Sequence, residues 1–285
     1  MLCLDNFQTG NVAFLQTFRD HPHLTVLEHD VENSIALDKP VDIIYHLACP
    51  ASPVHYQADP IRTMRTSVLG TLNVLEVARA NQARLVFTST SEAYGEPLEH
   101  PQRESYRGNV NTLGIRACYD EGKRAAETVC MDYHRQFGVS VGIARIFNTY
   151  GPRMAFNDGR VVSNFIVQSL RGEKLTVYGD GSQTRSFCYV DDLIDGLVRL
   201  QESNYTGPVN LGNDVEFTVR ELAEIVQAEI GGNAIEFRPL PADDPTRRCP
   251  DLSLAEEILQ WRPEVPLRSG IKQTVAEFRR RLHDS

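Results

Sequence analysis

At 285 residues, 41% of them hydrophobic, the chain can bury one substantial core, or one core with a smaller lobe, which excludes a disordered or fibrous protein. A formal charge of -9 excludes non-specific binding to a polyanion, because neutralising phosphates takes clustered Lys and Arg; any nucleotide partner is expected to be a small molecule and not a nucleic acid. The six cysteines, at positions 3, 49, 118, 130, 188 and 249, form no CxxC pair and follow no secretory leader. Reduced thiols and a cytoplasmic setting are therefore expected. No apolar run reaches the roughly 18 to 20 residues that cross a bilayer, so no membrane segment is expected in this chain, with an anchor ahead of Met1 left open.

Over the first 150 residues short apolar runs alternate with amphipathic stretches, the pattern of βαβ units around a mainly parallel sheet. Leu2–Leu4, Val41–Leu47, Arg84–Ser89 and Val139–Phe147 read as buried strands. Between the second and third, Asp59 to Ala80 carries Ile61, Met64, Val68, Leu72, Leu75 and Val77 mostly at helical spacing, with Pro60 suited to a first turn. Another helix starts near Tyr119 and ends near Phe137–Gly138. After Gly151–Pro152 the chain turns to loops rich in Gly, Asn, Asp and Arg, with short helices at about 161–171, 191–201 and 218–230. The expected fold is α/β, a Rossmann-like doubly wound parallel sheet over 1–150 followed by a smaller, mainly substrate-binding lobe over 151–285.

The most informative local pattern is Tyr119-Asp-Glu-Gly-Lys123. Residues four apart share a helix face, so phenol and ammonium can point into one site. A Lys charge nearby favours the phenolate and brings a Tyr, with its free pKa of about 10, towards general-base work. A surface Tyr beside a solvated Lys satisfies the same spacing. Phe87-Thr-Ser-Thr-Ser-Glu-Ala-Tyr-Gly95 ends an apolar strand in hydroxyls and one carboxylate, and reactive groups of open α/β sheets gather at such ends. An ordinary polar loop capping a helix has the same composition. Gly122-Lys123 closes no P-loop, no GxSxG or HExxH occurs, and the eight histidines show no metal-ligand spacing, so no metal is expected.

Asp5-Asn-Phe-Gln-Thr-Gly10, His46-Leu-Ala-Cys-Pro-Ala-Ser-Pro53, Ser89-Thr-Ser-Glu-Ala-Tyr-Gly95, Tyr119-Asp-Glu-Gly-Lys123, Arg145-Ile-Phe-Asn-Thr-Tyr-Gly-Pro-Arg153 and Asn157-Asp-Gly-Arg-Val-Val-Ser-Asn164 occur in the order seen in extended short-chain dehydrogenases. From residue 2 to about 282 the chain most resembles the UDP-glucuronate decarboxylases, also called UDP-xylose synthases. A 4,6-dehydratase is expected to carry Asp-Glu after the Thr, where this chain has Ser91-Glu92, and a 4-epimerase usually has small residues there. Asp243-Asp-Pro-Thr-Arg-Arg-Cys-Pro-Asp251 resembles the stretch in which the family carries an active-site Arg, here Arg248.

The resemblance implies NAD as cofactor and a UDP-sugar as substrate. Tyr119 takes the proton of the sugar 4-hydroxyl as NAD takes the C4 hydride, and the 4-keto acid then loses carbon dioxide. Lys123 and Arg248 favour anionic groups, while Thr90, Ser91 and Glu92 orient the substrate and relay protons. Asp5, Asn6, Thr9 and Gly10 match the adenosine-ribose end, an acidic residue there disfavouring a 2′-phosphate. Asp30 and Val31 resemble the adenine side, and Leu47, Thr66 and Thr149 resemble further cofactor contacts. Asn148, Arg160, Ser163, Tyr178 and Arg185 look like the nucleotide-sugar side. A homodimer through the helices at about 61–80 and 119–137 is likewise implied.

Two departures from the family stand out. The family opens with a strand and a GxxGxxG loop at a helix N-terminus, whereas this chain starts at what corresponds to the second strand and is expected to be N-terminally truncated. Gly179-Asp-Gly-Ser-Gln-Thr184 does not replace that loop and reads as a turn. Cys49 stands where the family commonly has Ser, which suits a buried thiol, and Gln8 replaces an aromatic. Another nucleotide-sugar epimerase or dehydratase, and a silent form that binds nucleotide sugar or a full-length partner, are the competing expectations.

Overall fold

The computed structural model describes residues 1–18, 20–232, 234–239 and 247–283. The chain opens with strand β1 (Leu2–Asp5), a 3-10 turn (Val12–Phe18) and β2 (Thr25–Glu28), which pairs parallel with β1. Next come β3 (Ile43–His46), the short helices α1 (Pro53–Ala58) and α2 (Pro60–Arg65), a wide π-type turn (Thr66–Gly70) and α3 (Thr71–Asn81). The helix expected across 59–80 is therefore one amphipathic run with a local expansion. Pro60 sits in the first turn of α2, where its missing N–H costs nothing, and the Asp59 carboxylate accepts the Arg62 N–H as a cap.

β4 (Arg84–Thr90), a 3-10 turn (Ser91–Tyr94), α4 (Ala117–Phe137) and β5 (Val141–Ile146) complete the first half. β6 (Thr149–Tyr150), α5 (Val161–Leu170), β7 (Leu175–Tyr178), β8 (Thr184–Ser186), β9 (Cys188–Tyr189) and α6 (Val190–Glu202) follow. The remaining elements are β10 (Gly207–Leu211), β11 (Glu216–Thr218), α7 (Val219–Ile230), β12 (Ile235–Arg238), α8 (Ser253–Leu259) and α9 (Leu267–His283).

The central sheet is wholly parallel, in the order β10-β5-β4-β3. Of the four strands expected to be buried, β4 and β5 are, with Leu85, Val86, Phe87, Val141 and Ile143 almost fully enclosed; β1 and β3 form as strands but are largely not buried, because each has a neighbour on one side only. Among the described residues β1 pairs only with β2, and β3 only with β4. Leu27, Ile43, Tyr45 and Leu47 stand exposed along these edge strands.

Residues beyond 150 divide between two cores. One joins α5, α7 and α9 around Phe165, Ile166, Leu222, Ile271 and Phe278. The other brings Leu193, Leu197, Leu200, Val209, Leu211, Ala255, Leu259 and Trp261 back against Val86 and Ala144 of the central sheet. β10 thus joins that sheet from a position 61 residues after β5 ends, in register Gly207↔Gly142 to Leu211↔Ile146. The single cut at residue 150 marks where the chain first leaves the sheet, and β10, α6 and α8 return to it.

Candidate active site

The carboxyl ends of parallel strands carry the candidate residues. β4 ends at Thr90, and the turn after it bears Ser91 and Glu92. α4 lies across this end and is anchored at its middle by Glu127, which accepts two hydrogen bonds from Arg145 of β5, the shorter 2.7 Å. The Ser89 hydroxyl donates to the same carboxylate at 2.5 Å. Gly122 lets α4 close on the preceding helices, since a Cβ there would sit 3.0 Å from Cβ of Ser67. The first two turns of α4 deliver Tyr119, Asp120 and Lys123, all buried, to the strand ends.

Tyr119 stacks on Tyr56 with ring centroids 4.9 Å apart and planes 7° from parallel. Lys123 donates from Nζ to the Thr88 carbonyl at 2.8 Å and lies 4.8 Å over the Phe87 ring. The expectation that Lys123 lowers the Tyr119 pKa is not what the geometry produces. Burial pushes the phenol well above its ordinary value, Cys49 pushes the same way, and the Thr90 hydroxyl and the Arg160 charge only partly offset them. Burial likewise moves Lys123 below the usual ammonium value. Low local polarity favours the neutral form of each group, and it outweighs their helical proximity.

Glu92 is the electrostatic centre. It accepts from Arg116 at 2.7 Å and from Arg248 at 3.0 Å. Burial raises its pKa, but Arg248, Arg116 and Arg185 together outweigh that and hold it below the usual carboxylate range. A carboxylate held as an anion in this way organises the positive charge around it. Arg248, 2% exposed, also donates to the Ser91 carbonyl at 3.0 Å and the Gly95 carbonyl at 2.8 Å. These contacts and the one to Glu92 join residues 153 to 157 apart in the chain. Residues 243–246 of the stretch that suggested Arg248 lie outside the described residues.

Asp120 escaped the sequence reading. Burial and the adjacent Glu92 charge raise its pKa to about 7, against partial relief from Arg116 and Arg248, and its Oδ1 has no hydrogen-bond partner among the described residues. It lies beside Tyr119 in sequence, but nothing in Tyr119-Asp-Glu-Gly-Lys123 shows that Glu92 will face it. Arg116 was missed for the same reason. Cys49, expected to be a buried thiol, is only half-buried; its Sγ lies 3.2 Å from the Ser67 hydroxyl.

Arg160 acts on Tyr119 through its charge while paired with Asp158 at 2.5 Å, and Arg185 acts on Glu92 while donating to the Thr184 carbonyl at 2.8 Å. Ser163 and Thr149 spend their hydroxyls on the backbone carbonyls of Arg160 and Phe147, at 2.9 and 3.0 Å. Asn148 accepts the Cys188 N–H at its carbonyl, at 2.9 Å. Tyr178 and Leu47 are exposed, at the end of β7 and just past β3.

The residues expected to hold NAD form a second group at the ends of β1 and β2. The Asp5 carboxylate accepts the Phe7 N–H at 2.7 Å, and a Cβ on Gly10 would sit 3.1 Å from its Oδ2. The glycine thus lets the 5–10 loop, with exposed Thr9, curl around that acceptor. Asn6 donates to Asp30 at 3.0 Å, and Arg62 donates to it at 2.7 Å. Val31 packs on Gly70, and the Thr66 hydroxyl donates to Glu32 at 2.9 Å. An oriented acidic acceptor after a parallel strand fits a ribose diol, and the donor-rich Lys123 fits a second. The 285 residues contain no GxxGxxG loop for a pyrophosphate.

A parallel sheet with Tyr119 and Lys123 on one helix across its carboxyl ends defines an extended short-chain dehydrogenase/reductase. The chain matches the GDP-mannose 4,6 dehydratase family over residues 3–274. It is 56% identical over 283 residues to UDP-glucuronic acid decarboxylase 1 of Arabidopsis thaliana, with 99% of this chain and 65% of that protein aligned. Against UDP-glucuronic acid decarboxylase 3 of the same plant it is 55% identical, with 98% and 81% aligned. The dTDP-glucose 4,6-dehydratase of Streptomyces venezuelae, solved with NAD and TYD bound, superposes at a TM-score of 0.90 with 27% identity, over 98% of this chain and 87% of that one. The chain belongs to the GDP-mannose 4,6 dehydratase family and, within it, to the UDP-glucuronic acid decarboxylases. It spans less than two thirds of the length of the first of these relatives. No helix among the described residues is long and apolar enough to cross a membrane.

Proposed function

We propose that the chain carries the catalytic residues for decarboxylating UDP-glucuronate to UDP-xylose through a 4-keto sugar. The observation that supports this best is the convergence of two guanidinium groups, on Arg116 at 2.7 Å and Arg248 at 3.0 Å, on the single carboxylate of Glu92 near Tyr119, with the charge of Arg185 adding to theirs. Such an arrangement attracts an anion, and the substrate brings a C5 carboxylate and a diphosphate.

The Tyr119 phenol oxygen exchanges a proton with the sugar 4-hydroxyl. Because burial holds the phenol neutral, positive charge entering the site is what brings it towards the phenolate, as Arg160 already does in part. Lys123, pinned on the Thr88 carbonyl, keeps a hydrogen-bond donor at this end of the sheet. Once C4 is a ketone, the carboxylate on C5 is β to a carbonyl, so its C–C bond breaks with the electron pair passing into an enolate. Arg248 favours that developing charge, and Thr90 and Ser91 orient the hydroxyls. Asp120, with its pKa of about 7, is suited to return a proton near neutral pH. NAD, when bound, supplies the hydride acceptor and donor for C4. Asp5, Asn6, Thr9, Gly10, Asp30, Val31, Leu47, Thr66 and Thr149 would hold it together with Tyr119 and Lys123.

The test is release of labelled carbon dioxide from UDP-[14C]glucuronate in the presence of NAD, with UDP-xylose as the other product. Tyr119→Phe is expected to lower turnover at least about a hundredfold while leaving the circular dichroism unchanged. Near-normal turnover in that variant, or a folded chain that binds NAD and the UDP-sugar without releasing carbon dioxide, refutes the reading. Exposed Ile61 and Leu69 on the α2–α3 face support a homodimer through α2–α3 and α4. Sedimentation as a monomer at micromolar concentration refutes that.

A further inference from the structure

Three side chains that no short motif connects meet next to Arg248 in the chain. His100 Nε2 lies 2.8 Å from Glu216 Oε2, and these atoms and Cys249 Sγ all fall within 4.8 Å of one another. His100 belongs to the loop after the Ser91–Tyr94 turn, Glu216 opens β11, and Cys249 follows Arg248. The sequence expectation of no metal site rested on spacing along the chain, and these ligands are 116 and 33 residues apart.

We propose that His100, Glu216 and Cys249 bind one divalent cation of zinc-like chemistry, which clamps the segment bearing Arg248. An imidazole, a carboxylate and a thiolate form a donor set that suits Zn²⁺ in tetrahedral coordination. Bond lengths of about 2.0–2.3 Å place tetrahedral ligand atoms about 3.4–3.6 Å apart, within about an ångström of where these atoms stand. The fourth position is open to solvent or to the Asp214 carbonyl, which lies 3.5 Å from Cys249 Sγ.

Outer contacts already orient the donors. The Thr184 hydroxyl donates to Glu216 Oε1 at 2.6 Å, leaving Oε2 for the site. Gln102 holds Cys249 from both sides of the peptide, donating from its own N–H to the Cys249 carbonyl and accepting the Cys249 N–H at its Oε1, each at 2.9 Å. Cys249 is nearly buried, whereas His100 and Glu216 are partly open, so an ion has an entry path from one side.

The surrounding charge favours a cation. Besides Glu216, the carboxylates of Asp214 and Asp251 act on Cys249, and a cation is drawn to their combined negative charge. On binding, the S–H bond breaks, its proton leaves to solvent, and the sulfur's electron pair forms the bond to the metal, while the His100 Nε2–Glu216 Oε2 hydrogen bond opens and the imidazole keeps its proton on Nδ1, so that both atoms turn to the ion. Because Arg248 contacts Ser91, Glu92 and Gly95, an ion on Cys249 ties the position of that guanidinium to loop 96–102 and β11.

Titration of the metal-free 285-residue chain with Co²⁺ tests this. One equivalent is expected to give a thiolate-to-cobalt charge-transfer band with tetrahedral d–d absorption, displaced by Zn²⁺ and lost in Cys249→Ser. His100→Ala, at a partly exposed position that leaves the fold intact, is expected to weaken binding at least about tenfold. The proposal is overturned if the wild-type chain gives no such band, if the band persists in Cys249→Ser, or if His100→Ala binds with unchanged affinity.

Discussion

Replacing Asp120 with Asn removes a charge that the fold disfavours while keeping the side chain's shape. The carboxyl pKa rises from 3.8 to about 7 on folding, chiefly through burial and then through the Glu92 charge. About three pH units at about 1.36 kcal/mol each make the ionised form roughly 4 kcal/mol less favourable in the folded than in the unfolded chain. A raised carboxyl pKa means that the folded state binds the proton more tightly. The associated stability is thus fully present below the unfolded value near 4 and is lost as pH rises through about 7. Asp120→Asn is therefore expected to stabilise the protein by about 2–4 kcal/mol at pH 8 and by almost nothing near pH 4.

Other groups shape the wild-type profile. Burial, and then the charge of Lys123, lower the His46 pKa to about 3, so His46 destabilises the fold as pH drops below about 6.5, opposite in sign to Asp120. It does so in both proteins, and the difference between them isolates Asp120. Urea unfolding followed by the single tryptophan, Trp261, buried in the core beneath α6, reads that difference at each pH. Equal stability at pH 8, or a gain that does not change between pH 5 and pH 8, refutes the assigned environment.

Arg248→Met leaves the Ser91 and Gly95 carbonyls without their donor and Glu92 with one fewer guanidinium. A loss of about 3–5 kcal/mol is expected in urea unfolding, and a loss below about 1 kcal/mol contradicts the inferred burial of this pair. Gly270→Ala would put a Cβ 2.0 Å from the Tyr150 hydroxyl, which donates to the Leu267 carbonyl at 3.2 Å. Displacing Tyr150 is expected to cost about 1–3 kcal/mol and to lower the thermal midpoint; an unchanged midpoint shows that α9 packs differently.

Local pattern alone makes several elements legible. Arg84–Thr90 and Val141–Ile146 are apolar runs between polar turns, and a parallel sheet covered on both faces takes such runs as central strands. Pro60 and the apolar spacing through Val77 locate the α2–α3 run, because a helix needs only neighbours three and four residues away to show its face. Tyr119 and Lys123 are likewise legible as partners on one helix.

Tertiary structure decides the rest, since it depends on sums over residues distant in the chain. Nothing near Gly207–Leu211 says that it will join β5 rather than a strand beyond residue 150, because a five-residue strand fits either. The Tyr119 pKa depends on how much water the surrounding elements exclude, and that burial reverses the expectation drawn from Lys123. The ionisation of Asp120 is set by burial and the Glu92 charge, that of Glu92 by guanidinium groups distant in the chain, and the meeting of His100, Glu216 and Cys249 by the packing of two loops against β11. Periodicity records only what lies within a few residues, whereas desolvation and Coulomb energy act through space and take shape once the chain has folded.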